Sequence, residues 1–466
     1  MTCEQPFGFD VLERMREYAV PGASVALLTG GRITGQWCFG TRRAGSDGPA
    51  AEVVPTTRFQ ACSISKPVTV FGALRLVQDG ELDLDADVNE RLRSWSVPAN
   101  GAWRPRVTLR RIASHSAGLT TSGFPGYPNG AALPTIAQVL AGVAPANSPG
   151  VRADLVPGLQ FRYSGGGITV LQLMLEEASG APVDELLDRL VLSPLGMRHS
   201  TFAQPLPPEL HEQAASGHHG DGSVVAGEWH VYPEQCAAGL WTTPADLLRF
   251  AMGVRAADGG EPDAVLRPDL VAQMLTRQVP TSEASTRIGG LDSMGLGLFL
   301  RADADGRGSW FGHLGGNEGF NCHLLVHRDT GDGAAIMTNS DECGVNLIVD
   351  LLGGLAARHD WPDLVLDPID PPLRSGLDPF VGSFALPSGA RMGIERRGEE
   401  LHVTIADQPP LTFFATSATE LFCQAVDARL SRSDDGVVTL RQGDEEWPCR
   451  EGAATSTKGP QPPGIP

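Results

Sequence analysis

Residues 59–77 constrain the fold more tightly than any other stretch of this chain. Phe59-Gln-Ala-Cys-Ser63-Ile-Ser-Lys66-Pro67 runs into Val68-Thr-Val-Phe-Gly-Ala-Leu-Arg-Leu-Val77, where apolar residues recur at helical spacing. Pro67 suits the first turn of that helix, because the N–H it lacks has no partner there. Ser63 and Lys66 stand three residues apart. Positions i and i+3 share a helix face, so the amine can reach the hydroxyl. The helix start adds free amides and a positive dipole end near Ser63, both suited to an anionic intermediate. A serine beside its own base reads as a nucleophile for acyl transfer. Since S-x-x-K also arises by chance, its weight depends on what else the chain carries.

Composition narrows the partners. A chain of 466 residues has room for two or three domains and a large core. The net charge is 36 − 55 = −19, without a dense Lys/Arg block, which argues against nucleic acid or an anionic membrane as partner. Residues 1–10 lack a basic and an apolar region, and no run of about twenty apolar residues occurs. A cytoplasmic protein is expected. The eight cysteines are scattered with no C-x-x-C, as in reduced, buried thiols. His218, His219 and His230 sit in no established ligand pattern and read as a polar loop. No metal or cofactor is expected.

The pattern of elements predicts an α+β fold. Residues 20–42 alternate like a hairpin turning at 29–32. Helices are expected after Ser63, at 107–114, 168–178, 183–192 and 245–252, and strands at 294–300, 320–326 and 333–338. Residues 120–160, rich in Gly and Pro, read as a long surface excursion. The expected organisation is a catalytic domain over 1–365, a Pro-rich linker at 366–375, a small all-β module over 376–450 and a disordered tail from 451 to 466.

Two further motifs accompany the serine and lysine: Phe161-Arg-Tyr163-Ser-Gly165-Gly-Gly167 before one helix, and Trp310-Phe-Gly-His313-Leu-Gly315-Gly316-Asn-Glu-Gly-Phe320 before a strand. Together with Ser114-His-Ser-Ala-Gly-Leu119 and Ala237-Ala-Gly-Leu-Trp-Thr-Thr-Pro244, they resemble the penicillin-binding-protein-like serine hydrolases. That superfamily includes class C β-lactamases, D,D-peptidases, D-aminopeptidases, related esterases and penicillin-binding-protein-type thioesterases. The resemblance covers most of residues 10–360. It implies a β-lactamase/D,D-peptidase-like domain, followed here by a lipocalin-like module.

Carried over residue by residue, the resemblance makes Ser63 the nucleophile and Lys66 its base. Tyr163 becomes a proton relay. His313 stands where β-lactamases usually carry a lysine, with its N–H available to Tyr163 or substrate. The amides of Ser63 and Gly316 would form the oxyanion hole, and Gly315 and Gly316 would let substrate lie against the strand. Gly165 replaces a common asparagine and would leave room for a bulky substrate. Glu234 is a candidate for holding a substrate ammonium, and Arg450 for reaching the site from the β module. Neither K-T-G nor S-D-N stands at the expected places, which disfavours a β-lactamase.

The resemblance leaves three functional classes. The first is a stand-alone thioesterase that takes a peptidyl chain from a carrier-protein thioester onto Ser63 and releases it as a head-to-tail ring, with a D-residue at the acyl end. Arg104, Arg106, Arg110 and Arg111 are candidates for docking the acidic carrier domain. The second is a D-aminopeptidase, D-amino-acid amidase or esterase. The third is a binding module that kept the fold, against which the intact Ser63, Lys66, Tyr163 and His313 argue.

Overall fold

In the computed structural model, residues 6–451 are described apart from 46–50, 281–289, 303–304, 307, 342, 362–376, 388, 398–399, 406–409, 424–427, 434 and 443–444. The alternating run at the start forms strands Gly22–Thr29 and Arg32–Gly40. Gly30 and Gly31 make the turn with φ of +56° and +77°, the left-handed pair that a two-residue hairpin needs. This hairpin is one end of an eight-stranded antiparallel sheet. Its order runs 32–40, 22–29, 333–338, 320–327, 308–317, 299–302, 293–294, 279–280.

Period-two alternation splits the strand Gly22–Thr29 between two cores. Ala26 and Leu28 join a large cluster containing helices Ser65–Gln78, Gly165–Ser179 and Pro244–Asp258. Ala23, Val25 and Leu27 face the other way, onto helices Val11–Glu17 and Gly344–His359. The sheet is therefore covered on both sides in a three-layer arrangement, within the α+β fold expected from the sequence.

Local chemistry moves several boundaries. The strand expected at 294–300 is two short strands, Ser293–Met294 and Phe299–Ala302, around a turn in which Gly297 has φ +77°. The helix expected at 107–114 shortens to Leu109–Ala113, between the Thr108 cap and His115 at φ +52°. The expected 183–192 helix is α-helical at Val183–Leu187 and continues as a π-helical turn, Asp188–Leu192. Within 120–160, Thr135 and Gln138 form a capping box for helix Ile136–Ala141. The helices Val11–Glu17, Pro268–Met274 and Gly344–His359 were not anticipated from sequence.

The second compact unit follows residue 367. It is a closed barrel of eight antiparallel strands in meander order from Gly382–Ala385 to Glu445–Glu451. Phe384, Met392, Leu401, Val403, Phe413, Leu421 and Leu430 fill its interior. Ala385 pairs with Arg450 to close it, leaving no free edge. The expected linker at 366–375 and the tail beyond 451 lie outside the described residues. Among the described residues, no helix is long and apolar enough to cross a membrane.

Candidate active site

Ser63 lies in the 3-10 segment Cys62–Ile64, directly ahead of helix Ser65–Gln78. Cys62 holds φ +50°, an uncommon conformation for a side chain-bearing residue and one that clusters at functional sites. The turn is pinned through Ser65, whose Oγ donates to the Cys62 carbonyl at 2.6 Å and accepts the Leu240 N–H at 3.0 Å. Ser63 is left half-buried.

Lys66 is buried, and its Nζ donates to Ser63 Oγ and to the Ala237 carbonyl, each at 2.8 Å. Burial lowers its pKa to about 7, so the neutral amine is accessible near neutral pH. Two acceptors fix the amine beside the hydroxyl. The approach of the Lys66 amine to the Ser63 hydroxyl is the one expected from their spacing, and the Ala237 carbonyl is a second partner that sequence reasoning did not supply.

Tyr163 directly precedes helix Gly165–Ser179 and its cap Ser164. Its ring lies 5.0 Å from Lys66 Nζ and stacks against Phe299 at 6.2 Å. His313 lies inside the strand Gly308–Asn317, not in a loop ahead of one. Its ring centroid is 6.2 Å from that of Tyr163 and 4.9 Å from that of Phe299.

One expectation for His313 is corrected. A carbonyl can only accept, so the 2.6 Å contact with the Leu314 carbonyl places the ring proton on Nδ1. Burial first, then Lys66, lowers the imidazole pKa to about 3, and the ring is neutral. Nε2 is thus a buried acceptor with no protein partner. His313 offers a lone pair where an N–H was anticipated.

The two glycines of the strand differ. A Cβ on Gly315 would lie 2.8 Å from the Ala61 carbonyl oxygen, from Cys62 Cβ and from Cys322 Sγ. Gly315 lets the strand approach the turn that bears Ser63. A Cβ on Gly316 would meet only Asn321 Oδ1, at 3.3 Å. The neighbouring strand Phe299–Ala302 pairs only as far as Gly312, so Gly316 lies beyond that pairing. Asn317 ties this end of the strand down through Gln60 Oε1 at 2.7 Å and the Ala238 carbonyl at 3.1 Å.

Two other expectations change. A Cβ on Gly165 would meet the Ser122 carbonyl oxygen at 3.0 Å and the Phe124 ring at 3.1 Å, so the segment 120–160 fills the space assigned to a bulky substrate. The arginine patch is largely engaged: Arg110 grips Asp85 with two bonds of 2.8 Å, and Arg106 and Arg111 donate to the Asp85 and Arg106 carbonyls.

Glu234 is buried, and neither carboxylate oxygen has a hydrogen-bond partner. Desolvation raises its pKa to about 7. Its own carbonyl accepts the Ala237 N–H at 2.9 Å, in the turn whose Ala237 carbonyl holds Lys66. Arg450 lies on the closing strand of the barrel, in the second unit. His218 is buried rather than on a polar loop, bonded to the Asn339 carbonyl and the Ala44 N–H.

The chain is 28% identical to Penicillin-binding protein 4 of Amycolatopsis lactamdurans over 392 residues, covering 82% of this chain and 97% of that one. It is 26% identical to Esterase EstB of Burkholderia gladioli over 285 residues, 54% of this chain and 70% of that one. The crystal structure of SurE with D-Leu shares the fold, with a TM-score of 0.60 at 23% identity over 94% of this chain and 97% of that one. With the family description Beta-lactamase matching residues 10–350, and the serine–lysine pair set at the head of its helix within that span, this chain belongs to the Beta-lactamase family.

Proposed function

We propose that this protein is a serine acyltransferase that takes a peptidyl thioester onto Ser63 and releases it as a head-to-tail cyclic peptide. Its superfamily consists of serine hydrolases and acyltransferases, so a Ser63 acyl-enzyme is the shared first step. Neutral Lys66 accepts the Ser63 proton as Oγ bonds to the thioester carbonyl carbon. The carbon–sulfur bond then breaks, and the thiol leaves with a proton relayed through Lys66 and Tyr163. The Ser63 and Gly316 amides hold the oxyanion.

The observation that carries the cyclase reading is the unpartnered carboxylate of Glu234. A buried carboxylate is costly without a cation, and the ammonium of the chain's own N-terminus would supply one. With its pKa near 7, Glu234 can also take a proton from that ammonium and free the amine to attack. A carbon–nitrogen bond forms, the ester bond to Ser63 breaks, and the serine recovers its proton. The acceptor Nε2 of His313 suits a substrate N–H, and its lack of charge suits a substrate without a free carboxylate. A D-configured acyl-terminal residue, a carrier domain presenting the substrate, and Arg450 as a substrate contact belong to this reading.

A D-aminopeptidase, amidase or esterase is the second reading, favoured by the likeness to an esterase. Mass spectrometry of products from peptidyl thioesters ending in D- or L-residues separates the two, with Ser63→Ala as control. A ring lighter than the linear acid by one water, formed from the D-ended thioester alone, is expected. Linear acid alone would exclude the cyclase, and turnover by Ser63→Ala would exclude the nucleophile.

A further inference from the structure

We propose that His115 is the positioning residue for Tyr163, holding the backbone on both sides of it. The inference rests on the reading of Tyr163 as proton relay. The Arg162 N–H donates to the His115 carbonyl at 2.7 Å, and the Ser164 N–H donates to His115 Nδ1 at 3.1 Å. Tyr163 is thus bracketed by two bonds to a single residue far away in sequence. The His115 ring also lies along the Tyr163 ring, with centroids 4.4 Å apart, and meets Phe161 edge-on at 6.0 Å.

This arrangement requires a histidine with a defined tautomer. A backbone N–H can only donate, so Nδ1 is the acceptor, and the neutral ring carries its proton on Nε2. That Nε2 is buried and has no protein partner. Burial, then Lys66 and His313, hold the imidazole well below its ordinary pKa, which keeps the acceptor available across the neutral range. His115 itself adopts φ +52°, a left-handed conformation that ends helix Leu109–Ala113 and carries the ring back toward residues 161–164.

Left-handed backbone and a short acceptor are requirements that two substitutions can separate. Asparagine tolerates the left-handed region, and its Oδ1 stands close to the place of Nδ1. Glycine tolerates the same backbone and offers no acceptor. With a chromogenic ester substrate, His115→Gly is expected to lower kcat about tenfold or more, with KM within about twofold. His115→Asn is expected to recover most of that loss. If His115 acts through Tyr163, adding His115→Gly to Tyr163→Phe costs little beyond Tyr163→Phe alone.

Equal kcat in His115→Gly and His115→Asn, or full additivity with Tyr163→Phe, would overturn the inference. Loss in both variants accompanied by collapse of the melting transition would mark His115 as merely structural and overturn it too. Unimpaired Tyr163→Phe would instead remove the relay reading, and this inference with it. Impaired Tyr163→Phe beside an unimpaired His115→Gly would remove the inference alone.

Discussion

The backbone of Gly315 lies against Cys62 so closely that one added carbon would sit 2.8 Å from Cys62 Cβ. The strand bearing Gly316 and the turn bearing Ser63 are therefore held at a separation set by the absence of a side chain. Gly315→Ala is expected to cost roughly 1–3 kcal/mol through overpacking and to slow labelling of Ser63 by a fluorophosphonate. Gly316→Ala, with only Asn321 Oδ1 nearby, should leave the melting temperature within a few degrees of the parent. Equal destabilisation by the two would contradict this packing account.

Lys66 sets the acidic limb of the rate. With its pKa lowered to about 7, kcat/KM should fall as pH drops below 7, because the protonated amine cannot take the serine proton. Lys66→Ala should lose about 10²–10⁴-fold. The same burial carries a stability cost. The unfolded chain binds the proton up to pH 10.5 and the folded one only up to about 7, so stability rises with pH across that window. Lys66→Met should flatten the rise and raise the melting temperature at pH 7, even as activity disappears. A melting temperature that does not move would mean the amine is better solvated than its surroundings imply.

Two of the buried imidazoles, His313 and His115, act at lower pH. His313 and His115 are neutral when folded, whereas an unfolded histidine protonates near 6.5. The unfolded state therefore binds more protons below 6.5, and stability should decline as pH falls toward the folded pKa of His313, about 3. NMR of ¹³C-labelled histidine should find the His115 and His313 ring signals constant between pH 5 and 9. Titration of His313 near 6.5 would restore it as a charged group and contradict the acceptor role.

Glu234 tests the choice between ring and linear product. Glu234→Gln removes the charge and keeps the shape. Cyclisation should fall tenfold or more while Ser63 acylation by a small ester changes little, since the ester has no ammonium to hold. The buried carboxyl also binds a proton more readily folded, with its pKa near 7, than unfolded near 4.5. Its contribution therefore weakens as pH rises between those values, and Glu234→Gln should be the more stable protein at pH 8. An unchanged ratio of ring to linear product would remove Glu234 from the mechanism.

Much of this was legible because local pattern and site chemistry agree. Ser63 and Lys66 could be read from spacing on a helix, and the 2.8 Å contact follows from that spacing. The Gly30–Gly31 hairpin and the all-β module were equally readable from alternation and turn residues. What stayed hidden depends on residues distant in the chain. The Ala237 carbonyl that anchors Lys66 is a backbone group, which no sequence motif announces. The tautomer of His313 is set by the carbonyl beside it, and a one-letter code does not show which nitrogen holds a proton. Gly165 was read as empty space because the path of residues 120–160 past it is a matter of packing, not of pattern. Helix Gly344–His359 opens after Cys343 without a side-chain cap and carries Gly353 and Gly354 in its interior, so neither its start nor its middle carries a helix signal.

The barrel's closure has a consequence for the order in which the molecule is made. Its first strand finds its second neighbour only in the strand that ends at Glu451, through Phe384 and Ala385. During synthesis, seven of the eight ladders can zip as each hairpin emerges, but the eighth waits for residues 450 and 451. The sheet core draws its last residues from helix Gly344–His359 and from Trp361 just after it, and it is complete before the first barrel strand begins at Gly382. Folding is thus staged by topology: the catalytic unit can settle on the ribosome while the barrel remains an open ribbon with two exposed edges. A chain cut short within its last strand would keep that ribbon open, and its loss would register as aggregation before it registered as lost chemistry.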